Sequence, residues 1–182
     1  MNLSLPRVGI TVGDPAGIGP EIALKASVDP RVLEVCEPRL YGVQGDAAAA
    51  FTPGHLSAEA GRAACDAIVA AVADAGSGKI DAVATAPINK EAFALAGLPW
   101  KGHTDLLAHL TGTPRVAMMF YAEELRVVLA TIHVPLAEVP RLLTRELVDF
   151  IVELTARELP RFGYLRPRLA LAGLNPHAGS TA

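Results

Sequence analysis

The sequence predicts an α/β protein whose mixed β-sheet is flanked by helices, and three observations carry that prediction. Apolar runs of strand length alternate with helical patterns, which is the sequence form of stacked β and α layers. Two successive β-branched runs are separated only by Ala122-Glu123-Glu124, the pattern of a hairpin, so an antiparallel pair accompanies the parallel ones. Apolar residues make up 51% of the 182-residue chain and charged residues 19%, enough to fill a buried core.

Taken in order, residues 7–12 read as a buried strand, and Gly13 to Glu21 form a glycine-proline loop in which Pro20 suits the first turn of a helix ending near Ser27. Residues 39–43 make a short second strand. Ser57 is placed to cap a long helix to about Ala75, on which Cys65, Ile68, Val69 and Val72 share one face. Residues 80–85 form another strand, and Ala86-Pro87-Ile88-Asn89 turns into a short helix that Gly97 can end in a left-handed conformation. A further short helix begins after His103 and Thr104, with Thr104 or Asp105 as its cap, and stops near Gly112. Residues 115–121 and 125–132 form the hairpin. Leu147, Phe150, Ile151 and Leu154 mark the core face of a helix over 145–159, and residues 168–174 read as the last strand.

Charge and cysteine usage exclude several functions. The net charge is −3, and the sixteen basic residues form no stripe, so a nucleic-acid partner has no electrostatic footprint. Cys36 and Cys65 are far apart and lack CxxC spacing, which suggests neither a zinc knuckle nor a disulfide framework and suits a reducing cytoplasm. Residues 1–12 resemble neither a signal peptide nor a membrane span, so no membrane partner is expected.

The chemical candidates are few. The glycines of the Gly13–Glu21 loop would let backbone approach a phosphate, but the spacing is neither GxGxxG nor GxxxxGK[ST], and a strand-to-helix turn accounts for it as well. Lys90 could meet an anion or simply be solvated. His103 and the Thr104 hydroxyl offer a donor pair at a helix start, where an anionic group is favoured. His133 and His177 each follow an apolar run beside a proline, so two imidazoles at strand ends could share a divalent cation, although spacing alone equally allows structural histidines. His55 and His109 have no evident partner.

Five segments in this order, Gly13-Asp14-Pro15-Ala16-Gly17-Ile18-Gly19-Pro20-Glu21, Thr85-Ala86-Pro87-Ile88-Asn89-Lys90, Gly102-His103-Thr104-Asp105, Ala130-Thr131-Ile132-His133-Val134-Pro135-Leu136 and Gly173-Leu174-Asn175-Pro176-His177-Ala178-Gly179, closely resemble the 4-hydroxythreonine-4-phosphate dehydrogenase family of vitamin B6 biosynthesis. The resemblance implies an isopropylmalate-dehydrogenase-like α/β fold and a homodimer whose site is shared between subunits. It also implies NAD- or NADP-linked, metal-dependent oxidation and decarboxylation of 4-phosphohydroxy-L-threonine. It assigns His103 and Thr104 to the substrate and His133 and His177 to a divalent metal (zinc, magnesium or cobalt) as two of three histidine ligands. No catalytic group and no dinucleotide contact is assigned to any residue of this chain.

Two departures from the family pattern bear on these expectations. The link between Gly45-Asp46 and Gly54-His55 is short and alanine-rich where family members carry a longer stretch. The third metal histidine, a substrate lysine, asparagine and arginine, and much of the dinucleotide pocket lie beyond the equivalent of Ala182. Residues 1–182 are thus expected to be one partial α/β unit, the substrate and metal side of a larger fold with its C-terminal part missing, and incomplete for turnover. The alternatives are a dehydrogenase of a related threonate or erythronate phosphate, or a non-catalytic binding or dimerisation module.

Overall fold

Val8, Ile10 and Val12 are too apolar for an exposed segment, and they lie in and just beyond the central strand of a parallel sheet. The computed structural model describes residues 4–178. The chain divides into two compact units, Met1–Arg115 and Val116–Ala182, where the sequence reading treats 1–182 as one partial unit of a larger fold.

In the first unit, β1 (Arg7–Thr11) leads through α1 (Gly19–Val28) and α2 (Pro30–Leu33) to β2 (Glu37–Tyr41). A 3-10 segment at Gly45–Ala50 and the long α3 (Ala58–Gly76) then lead to β3 (Ala82–Thr85), followed by α4 (Lys90–Leu95) and α5 (His103–Leu110). Both β2 and β3 pair parallel to β1, with Gly9 opposite Arg39 on one side and Val83 on the other, so the strand order is β2-β1-β3. The chain goes first to one side of β1 and then crosses to the other. That reversal opens a crevice at the carboxyl ends of β1 and β3, where ligands bind in open parallel sheets. Pro38 is tolerated in β2 because β2 is an edge strand, where a missing N–H costs no ladder bond.

Local signals set the helix ends. Ser57 Oγ accepts the Ala60 N–H at 3.1 Å, and Asn89 Oδ1 accepts the N–H groups of Glu91 and Ala92 at 2.9 and 3.2 Å. Gly97, at φ +68°, ends α4 while the Leu98 N–H returns to the Phe93 carbonyl. A bidentate Arg7–Asp81 pair joins the start of β1 to the residue before β3, and the guanidinium holds the Asp81 carboxyl down to about 2.

The core of this unit joins three helices. Ala64, Cys65 and Ile68 of α3, Phe93 of α4 and Leu106 of α5 form one buried cluster, and Ile88, Trp100 and Leu110 pack around it. Phe93, Ile68 and Leu106 are fully buried, each contributing roughly 2–3 kcal/mol of apolar transfer. Trp100 stands beside His109 of α5, ring centroids 5.3 Å apart. The helices approach closely because α3 has a glycine at the crossing: a β-carbon on Gly61 would lie 2.1 Å from the Ala92 carbonyl oxygen.

In the second unit, β4 (Met118–Tyr121) and β5 (Arg126–Leu129) form the expected antiparallel hairpin, closed by an Ala122 N–H bond to the Leu125 carbonyl. A 3-10 turn at Leu136–Glu138 and α6 (Val139–Leu142) precede α7 (Arg145–Glu158), which Thr144 caps through the Leu147 N–H. Ile151 is its most buried residue, with Leu147, Phe150 and Leu154 half-buried on the same side. No helix among the described residues is long and apolar enough to cross a membrane.

Four local expectations change. Parallel and antiparallel pairs both occur, but in two separate sheets. The second strand begins two residues early because Glu37 and Pro38 pair with Arg7 and Val8, and Gly42, at φ +111°, ends it. Cys65 and Ile68 are buried and Val72 packs on the core as expected, but Val69 is exposed, and the buried stripe of α3 also takes in its small residues Ala60, Gly61, Ala64, Ala67 and Ala71. Residues 168–174 form no strand: they have no neighbour to pair with among the described residues, and Leu169, Leu171 and Leu174 are exposed.

Alanine favours a helix over glycine by roughly 1 kcal/mol, but at Gly61 overpacking against the α4 backbone outweighs that gain. Gly61→Ala is expected to lower unfolding free energy by about 2–3 kcal/mol in urea titrations. A neutral or stabilising result would show that the two helices separate freely at this crossing.

Candidate functional site

The crevice at the strand ends is built by two loops held backbone to backbone. The Asp14 N–H donates to the Pro87 carbonyl at 2.9 Å, and Gly13, at φ +69°, approaches so closely that a β-carbon there would lie 2.2 Å from the same oxygen. Gly19 is equally constrained, since a β-carbon would meet the Val12 carbonyl oxygen at 1.9 Å. Gly13 and Gly19 therefore serve close backbone approach, which accounts for their place in a loop whose spacing is unlike that of the common nucleotide motifs. The Asp14 carboxylate closes the turn by accepting the Ala16 N–H at 2.9 Å.

Between these loops lies an open cleft of about 580 Å³, whose lining includes Asp14, Ile18, Asn89, Lys90 and Glu91. The Asn89 side-chain oxygen is occupied in capping α4. Lys90 is the cation of the cleft, and its stem runs to the start of α5: a β-carbon built on Gly102 would lie 3.8 Å from Lys90 Cε.

His103 and Thr104 occupy the first turn of α5. Gly102 is the N-cap and supplies no side-chain acceptor, so neither Thr104 nor Asp105 caps the helix as the sequence suggested. They lie two and three residues past the cap position, and Asp105 instead reaches back to accept the Lys101 N–H at 3.2 Å. The first N–H groups of the helix thus have no side-chain cap, beside a Thr104 hydroxyl that makes no hydrogen bond among the described residues. His103 is half-buried, its Nε2 is fully buried without a partner, and burial pushes its pKa below the ordinary 6.5. The ring is neutral at pH 7 and carries an unused hydrogen-bonding atom.

His133 and His177 both belong to the second unit and both are exposed. His133 sits four residues beyond β5 at φ +54°, the one non-glycine residue with positive φ among those described, so its imidazole is presented from a left-handed backbone that most side chains avoid. His177 does not follow a strand. It stands in a turn where Asn175 Oδ1 accepts the His177 N–H at 2.9 Å and the Asn175 carbonyl accepts the Ala178 N–H at 3.1 Å. Gly179, the last residue of the Asn175–Gly179 motif, lies outside the described residues. No group of three or more His, Cys, Asp or Glu among the described residues is placed to hold a metal ion. Two exposed imidazoles suit a divalent cation by donor type but are too few for a shell.

One cluster in the second unit escaped the sequence reading. Arg126 lies 4.9 Å from the ring centroids of both Tyr121 and Tyr164, whose hydroxyls are 3.0 Å apart. That hydrogen bond, aided by the guanidinium, pulls the Tyr121 phenol down, and the same bond pushes the Tyr164 phenol up. Tyr121 and Arg126 are direct partners across the hairpin, a pairing the three-residue spacer already allowed, but Tyr164 comes from beyond α7 with no sequence signal.

Comparison with known proteins finds the same α/β architecture in solved structures of dehydrogenases. A crystal structure of 4-hydroxythreonine-4-phosphate dehydrogenase from Klebsiella pneumoniae superimposes with a TM-score of 0.85 at 33% identity, covering 98% of this chain and 66% of that one. The chain belongs to the pyridoxal phosphate biosynthetic protein PdxA family, whose model matches residues 20–182. It is 41% identical to the 4-hydroxythreonine-4-phosphate dehydrogenase of Desulforapulum autotrophicum, over 96% of this chain and 63% of that protein. It is 37% identical to the D-threonate 4-phosphate dehydrogenase of Cupriavidus necator, over 96% of this chain and 64% of that protein. The chain therefore spans about 63% of the length of such relatives. The first of these alignments is 213 residues long against a chain of 182, so the relative carries internal residues that this chain lacks.

Because the folded state favours neutral His103, the unfolded chain takes up that proton first as pH falls. The stability this ring contributes is complete above pH 6.5 and is lost as pH drops through the lower folded value. Unfolding midpoints in urea at pH 7.5 and 5.0 should therefore differ less for His103→Gln than for the wild type. An identical pH dependence in both proteins would mean that the ring is not desolvated.

Proposed function

We propose that this chain is the substrate- and metal-side portion of a dehydrogenase that oxidises 4-phosphohydroxy-L-threonine with NAD⁺ or NADP⁺ in pyridoxal 5′-phosphate biosynthesis. The C3 hydroxyl of the substrate loses its proton to a base, and the C3 carbon transfers its hydride to the dinucleotide as the C3 carbonyl forms. The resulting β-keto acid releases CO₂ to give 3-amino-2-oxopropyl phosphate. The observation that carries this reading is the open first turn of α5, where a neutral His103 and a free Thr104 hydroxyl stand within a family whose named relatives act on phosphorylated hydroxy acids.

His103 and Thr104 bind and orient the substrate. A neutral imidazole can accept or donate a hydrogen bond without adding charge, and an uncapped helix start favours a negatively charged group. His133 and His177 are the residues of this chain that would hold a divalent cation, the remaining donors coming from water or from residues beyond these two. When bound, such an ion polarises the substrate oxygens as a Lewis acid. The dinucleotide supplies the hydride acceptor. Exposed apolar residues such as Leu24 and Val28, one turn apart on α1, support a homodimer or a covering segment in the whole protein.

A second reading, oxidation of a threonate phosphate, is favoured by the Cupriavidus relative. The two are separated by assaying the protein that carries this chain for NAD⁺ and NADP⁺ reduction with 4-phosphohydroxy-L-threonine and with D-threonate 4-phosphate, in the presence of Zn²⁺ or Mg²⁺. The preferred substrate is the one with the higher kcat/KM, and no reduction with either would remove both readings. In calorimetric titrations, His133→Ala and His177→Ala are each expected to weaken Zn²⁺ binding at least about tenfold. Unchanged affinity would rule out the altered residue as a ligand.

A further inference from the structure

Lys90 has no part in the site drawn so far, yet its position is specific. Lys25 and Lys79 hold carboxylates, Glu21 at 2.6 Å and Asp74 at 2.8 Å, whereas Lys90 has no ion-pair or hydrogen-bond partner among the described residues. Asp14 and Glu91 line the same cleft, but neither pairs with it. Its stem passes Gly102 instead, at the contact that a β-carbon there would make at 3.8 Å. The core cluster fixes this relation from below, since Phe93 of α4 and Leu106 of α5 are packed in one buried group.

We propose that Lys90 binds the phosphate group of the substrate, together with the Thr104 hydroxyl and the open N–H groups of α5. The proposal rests on the reading of the substrate as a phosphorylated hydroxy acid. Three independent features converge on an anion: a cleft at the reversal of the parallel strands, a lysine within it left without a counter-ion, and polar groups of His103 and Thr104 without partners. Asp14 and Glu91, which line the same cleft, oppose an anion, so a phosphate there depends on a cation to offset their charge. Lys90 is the cation in the lining.

The test uses the 182-residue chain in calorimetric titrations with 4-phosphohydroxy-L-threonine, unphosphorylated 4-hydroxy-L-threonine and inorganic phosphate. Lys90→Gln is expected to weaken the phosphorylated compound and phosphate by about tenfold or more, the scale of one lost charge-assisted hydrogen bond. Lys90→Arg should restore most of the affinity, and the weak binding of the unphosphorylated compound should not change. Binding by the wild type should also fall with added salt more steeply than binding by Lys90→Gln. Lys90 is exposed, and matching thermal unfolding curves will show that the variants fold. If Lys90→Gln binds the phosphorylated compound and phosphate within about twofold of the wild type, or if the wild type binds neither, the proposal falls. If the wild type binds phosphate in a Lys90-dependent way but not 4-phosphohydroxy-L-threonine, Lys90 remains an anion-binding residue and the substrate reading of the previous subsection falls instead.

Discussion

The candidate site depends on two loops sharing backbone. The loop after β1 and the loop after β3 could diverge at the sheet edge, but the Asp14 N–H is bonded to the Pro87 carbonyl, and Gly13 lies within a β-carbon's reach of that oxygen. Only glycine has both the left-handed conformation and the missing side chain required there. Because Pro87 is fixed in this way, Asn89 is positioned to cap α4, and α4 begins with Lys90 facing the cleft. The backbone geometry of one residue thus helps set the direction of a side chain three residues past Pro87.

The same economy of space operates beneath the site. Gly61 brings α3 against the backbone of α4, and Phe93 then fills the gap between α3 and α5. The starts of α4 and α5 are consequently parts of one packed body, so Lys90 and His103 hold their relation without any direct bond between them. Rigidity of this kind suits the recognition of a small charged group, since positional freedom in either donor would dilute the gain from each hydrogen bond.

Much of the first unit was legible from sequence because its signals are local. Ser57 and Asn89 cap as their residue types predict, Gly97 terminates as a glycine in that place does, and the apolar run at 7–12 is buried between two neighbours. Residues 168–174 show the limit: the same apolar pattern forms no strand, since a strand is a property of a pair and no partner is present among the described residues. Val69 was misplaced for a related reason. Of the four positions of helical spacing, Cys65, Ile68 and Val72 face the core, but the buried face turns toward the small residues that permit close packing and leaves Val69 outside. At the candidate site, His103 and Thr104 could be singled out by residue type at a helix start, and Lys90 could be named as an anion contact or a solvated lysine, but its place in a cleft required knowing that β1 and β3 are neighbours. The Arg126 cluster likewise needed Tyr164 from beyond a helix, a contact between segments that no spacing rule describes.

Trp100 is the chain's single tryptophan, and it packs on the cluster that joins the helices while its ring lies 5.3 Å from that of His109. Its emission is therefore an intrinsic optical reporter of α5. Any tilt of the helix changes the polarity around the ring. The molecule thus carries a single fluorophore packed on the same helix that begins with His103 and Thr104, so changes in that helix can be followed without an attached label.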